Sequence, residues 1–97
     1  MYRSSLPNLN REEREFWDKY AEFNVILPKS ELAKLQNIPY DKVTTKGTWM
    51  WLYDYCGIQP NECLVKRINN GSHGYGDPVI EIRFAGADIM SIYRLSI

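Results

Sequence analysis

Absences narrow this 97-residue chain first. There is no excess of charge, because twelve basic and twelve acidic side chains cancel. Its first 48 residues carry eight and seven of them, and the remainder four and five. No lobe is therefore basic enough to draw in nucleic acid or anionic lipid through a long-range field. Thiol and imidazole are scarce: Cys56, Cys63 and one histidine, His73. The cysteine spacing is not that of a C-x-x-C knuckle, and one histidine leaves a zinc site short of ligands, so no metal is expected. A single bridge is fewer than small secreted domains use, so two reduced thiols in a cytoplasmic protein are expected. No apolar run approaches the length of a membrane span, and the N-terminus lacks the apolar segment of a signal peptide.

Catalytic patterns are equally scarce. Glycines crowd around a histidine and an acid only in Asn69–Pro78, where His73, Tyr75 and Asp77 lie. That stretch matches neither G-x-x-x-x-G-K-[ST] nor a strand–GxGxxG–helix unit, and a hairpin tip accounts for the same composition. Cys56 or Cys63 with His73 and Asp77 is the available set for nucleophilic catalysis. Cys56 sits in the most apolar part of the chain, where a thiolate is disfavoured. No cofactor is expected.

Aromatic residues, by contrast, are abundant: seven tyrosines, three tryptophans and three phenylalanines. They concentrate in Thr48–Gly57, which holds Trp49, Trp51, Tyr53 and Tyr55 with Met50 and Leu52. Trp49, Leu52, Tyr53 and Cys56 recur at i, i+3, i+4 and i+7, one stripe of a helix. Gly57 stands where a left-handed terminator belongs, and Pro60 prevents continuation. A strand reading with alternating aromatics competes but lacks that exit. If the stripe is core, Trp51 and Tyr55 share another face, where they either meet a partner or are covered by the first helix.

Residues 1–9 are polar and proline-containing and read as an arm or a loosely tied lead-in. Asn10 and Glu13 have capping-box spacing, and Phe16, Tyr20 and Phe23, with Trp17 beside them, predict an amphipathic helix over 11–23. Val25-Ile26-Leu27 is an apolar connector stopped by Pro28. Ser30 is positioned to cap a short helix that ends before Pro39. Further on, Cys63–Ile68 and Val79–Phe84 predict strands; in the second, Ile80, Ile82 and Phe84 alternate with Glu81 and Arg83. Tyr93, Leu95 and Ile97 alternate with Arg94 and Ser96, predicting a third strand, with a helical turn over 88–92 as the alternative. The expected fold is therefore one α+β domain over 1–97. Three short N-terminal helices (10–57) pack on one face of an antiparallel three-stranded β meander (62–97). Helix 1 and the tryptophan helix supply one side of the core; Ile80, Ile82, Phe84, Leu95 and Ile97 supply the other.

Within the helical part, Glu31-Leu32-Ala33, then Asn37-Ile38, then Val43 resembles the first helix and turn of a helix-turn-helix DNA-binding unit over about fifteen residues. The resemblance implies a recognition helix next, bearing polar and basic residues for base edges. This chain instead has Thr44, Thr45, Lys46 and Gly47 followed by Trp49 and Met50, so only Lys42 and Lys46 reach toward phosphates. The overall profile, short, neutral and without catalytic groups, is similar to that of small phage-encoded inhibitors of host defence such as anti-CRISPR proteins. That likeness implies occupancy of another protein rather than chemistry.

The functional expectation is a small non-enzymatic protein-binding module, an inhibitor or adaptor. Its partner is another protein or a second copy in a homodimer, and neither nucleic acid nor membrane is expected. Trp51, Tyr55, His73 and Tyr75 are the candidate partner-binding residues, since tyrosine and tryptophan dominate interface hot spots. DNA binding through 30–57 is the second reading, and a cysteine- or histidine-dependent enzyme the third.

Overall fold

A computed structural model describes residues 9–68 and 78–97. His73, Tyr75 and the glycine-rich hairpin tip lie outside the described residues, as does most of the N-terminal arm. The fold is α+β. Among the described residues the elements run α1 (Arg11–Lys19), β1 (Asn24–Pro28), α2 (Lys29–Gln36), α3 (Thr45–Trp51), β2 (Cys63–Ile68), β3 (Val79–Phe84) and α4 (Ala87–Ser96). The sheet is antiparallel with strand order β1-β3-β2, which puts β1 and β2 at its edges.

The capping box forms as the spacing predicts: Asn10 accepts from the Glu13 N–H, and Glu13 accepts from the Asn10 N–H. α1 is shorter than 11–23 and gives way to β1, the segment expected to be only a connector. Val25 and Leu27 point to the core while Ile26 is exposed, so the strand is recognisable mainly through its partner β3. α2 starts at Lys29 behind Pro28, and no side chain caps it. Ser30 is therefore not its cap.

The expected third strand is a helix. α4 buries Tyr93 and packs Ile89 and Met90 on the core, at i, i+1 and i+4. Leu95 and Ile97, expected in the core, are exposed. Gly86 leads into α4 at φ 113°, ψ 171°, backbone essentially confined to glycine. The helices also do not share one face of the sheet. Ile80, Ile82 and Phe84, with Cys63 and Val65, join Leu32, Leu52, Ile58 and Tyr93 in the main core beneath α2, α3 and α4.

The opposite face meets α1. There Trp17 is buried, and the Arg83 guanidinium lies 4.0 Å from its ring centroid. Arg83 also donates to the Trp17 carbonyl. Its Nε lies 2.6 Å from Glu81 Oε2, and Asn24 Nδ2 donates to the same oxygen at 3.0 Å. The polar half of the β3 alternation, which reads as a solvent face, is thus a covered polar network, with Glu81 only 5% exposed.

α3 continues through Leu52–Cys56 in a wider π-helical turn. Gly57 ends it at φ 77°, with its N–H returning to the Tyr53 carbonyl, and Ile58 is fully buried. The buried stripe runs Thr48, Leu52, Cys56 rather than Trp49, Leu52, Tyr53, Cys56. Thr48 can be buried because Gln36 Nε2 donates to its hydroxyl at 2.9 Å. Centring the stripe on Thr48 rotates Tyr53 out to the rim, and it is half exposed.

Candidate functional site

One side of α3 is left open by that rotation. Met50 is 57% exposed, one turn from the half-exposed Tyr53, and both line a groove of about 460 Å³. Trp49 and Lys46 extend the same wall. Trp49 is held by its Nε1–H, which donates to the Pro60 carbonyl at 3.1 Å. The opposite side carries Glu13 of α1, whose carboxylate lies 3.1 Å from Lys66 Nζ. Partial burial pushes the Glu13 carboxyl up, but the Asn10 N–H and the Lys66 ammonium outweigh it, so its pKa is lowered overall.

The floor shows where the groove lies in the fold. Leu64, Val65 and Lys66 are consecutive in β2, so their side chains alternate between the two faces of the sheet. All three nevertheless line the groove. A space touched by both faces of a strand lies along that strand's edge. β2 is an edge strand, and among the described residues no backbone hydrogen bond reaches its outer side. A smaller adjoining recess of about 200 Å³, bounded by Phe16 and Asn61, carries the groove on to Cys63. The site is a strand edge sunk between two helices, with an apolar wall on α3 and a salt-bridged wall toward α1.

Trp51 and Tyr55, expected as a partner-facing pair, are stacked with centroids 5.6 Å apart and planes 9° from parallel. Tyr55 is 61% exposed, whereas Trp51 is partly buried against the core. The tyrosine is the more exposed member of the stack. Sequence reasoning missed Met50 and Lys46. Their spacing at i and i+4 with Tyr53 at i+7 was the available signal.

Both cysteines are free and buried; desolvation pushes the Cys56 thiol up and the Cys63 thiol to about 12, which favours the neutral thiol, and their candidate partners His73 and Asp77 lie outside the described residues. Among the described residues, no three histidine, cysteine, aspartate or glutamate side chains are placed to hold a metal ion, and no helix is long and apolar enough to cross a membrane. Between α2 and α3 lie eight residues that include a 3₁₀ turn at Tyr40–Lys42. The turn of a helix-turn-helix unit is about half that length. The solvent side of α3 offers Lys46, Met50 and Tyr53, with a single basic side chain among them. No protein-family model, curated protein or solved structure matches the chain.

Proposed function

We propose that the chain is a non-enzymatic protein-binding module that docks its partner in the groove along the outer edge of β2. The observation that carries this reading is an apolar, aromatic-walled groove in which Met50 and Tyr53 stand half exposed at its mouth. Burying such side chains against a partner is favourable at about 25 cal/mol per Å² of apolar surface, and tyrosine and methionine are enriched at interfaces for that reason. Tyr55, propped by the stack on Trp51, is a second exposed aromatic, on the other flank of the same helix. The buried, protonated thiols weigh against the cysteine-dependent reading. As an inhibitor or adaptor, such a module acts by occupancy alone.

The test is loss of binding without loss of fold. Met50→Ala together with Tyr53→Ala removes half-exposed side chains and is expected to shift the thermal midpoint by less than about 4 °C. With a partner captured from cells of the source organism, the same variant should bind at least about thirty-fold more weakly. Wild-type affinity in that variant would place the interface elsewhere. Trp51 is unsuitable for the test, because its packing on the core makes truncation costly in itself.

A further inference from the structure

The geometry points to strand addition: the groove takes an extended peptide segment of a protein partner, with alternating apolar and polar side chains, which pairs with the outer edge of β2. This rests on the protein-binding reading above and specifies the partner's conformation. An edge strand presents N–H and C=O groups at alternate residues, and an added strand satisfies them while its side chains alternate between the two walls. Here those walls differ. One phase of the guest meets Met50 and Tyr53 and is therefore apolar. The other meets the Glu13–Lys66 pair and is polar or charged.

A second copy of this chain does not fit the same place. Its own β2 edge is sunk between its α1 and α3, and two recessed edges cannot approach to hydrogen-bonding distance. The outer edge of β1 is a weaker acceptor, because it ends on Pro28, which has no N–H to offer. Natural folds do recess edge strands simply to protect them, but they close or charge such edges. Here Lys66 and its partner Glu13 charge one wall of the edge, while the other wall keeps Met50 and Tyr53 open to solvent.

Peptides of ten random residues are displayed against the full chain, and clones that also bind the Met50→Ala/Tyr53→Ala variant are discarded. Each survivor is synthesised unmodified and in two forms N-methylated at alternate residues. Enriched sequences should alternate apolar and polar residues. One N-methylated form should lose at least tenfold in affinity and the other, whose N–H groups point away from β2, less than about threefold. Equal binding by both forms, or an i, i+3, i+4 apolar pattern in the survivors, overturns strand addition while leaving protein binding at the groove intact. No clone that distinguishes the variant from the wild type overturns both. Light scattering supplies the remaining outcome: concentration-dependent dimers abolished by the same variant would make a second copy the occupant and overturn the proposal.

Discussion

Replacing Arg83 by alanine is expected to destabilise the fold by about 3–5 kcal/mol, measured by urea denaturation. The guanidinium is the ionic partner of Glu81, whose side chain is 7% exposed on a face covered by α1. Without it, a carboxylate stays buried with, among the described residues, the Asn24 amide as its side-chain partner. The same variant also removes the guanidinium stacked over Trp17 and the bond to the Trp17 carbonyl, which together fasten α1 to the sheet. The loss is therefore expected to be cooperative with undocking of α1. Glu81→Leu combined with Arg83→Met removes both charges at similar volume and should recover most of the stability, because no unpaired ion remains. A loss below about 1 kcal/mol for Arg83→Ala would mean that Glu81 finds water in place of its partner.

Leu52→Ala is expected to cost about 2–5 kcal/mol, the range for deleting a fully buried leucine whose neighbours cannot collapse into the space. Leu52 is wholly inaccessible and sits where α3 passes into its π-helical turn. Thr48 and Cys56 lie one turn away on either side, and the sheet side chains Ile82 and Phe84 belong to the same core. Relaxation there would have to move a helix and a strand together. A measured loss below about 1 kcal/mol would contradict the packing of α3 on the sheet.

Local rules made several elements readable from the residues alone. Asn10 and Glu13 announce the start of α1, and Gly57 announces the end of the aromatic helix. The alternation of Ile80, Ile82 and Phe84 identifies the central strand. What failed depended on distant partners. The segment after Gly86 alternates apolar and polar as a strand does, yet Ile89, Met90 and Tyr93 bury better at helical spacing. Its apparent strand residues Leu95 and Ile97 are exposed instead. The phase of α3 is set by Thr48, a polar residue that no hydrophobic pattern counts, buried because Gln36 reaches it. Glu81 and Arg83 read as a wet face because nothing local says that α1 returns to cover them. The groove was illegible for the same reason. It needs Glu13, Met50 and Leu64 from three separate elements, and an edge that exists only once β3 lies between β1 and β2. Trp51 and Tyr55 do meet, as their spacing suggests, but half of that pair is also structural.

Residue-resolved amide hydrogen exchange, with the chain free and then partner-bound, tests the docking of a partner at β2 most directly. On this reading, binding slows exchange at Cys63 and Val65, whose N–H groups point away from β3 and, among the described residues, have no backbone partner in the free chain. Protection confined to the outer face of α4 around Ile92 and Leu95, or to the outer edge of β1, with Cys63 and Val65 unchanged, would contradict it.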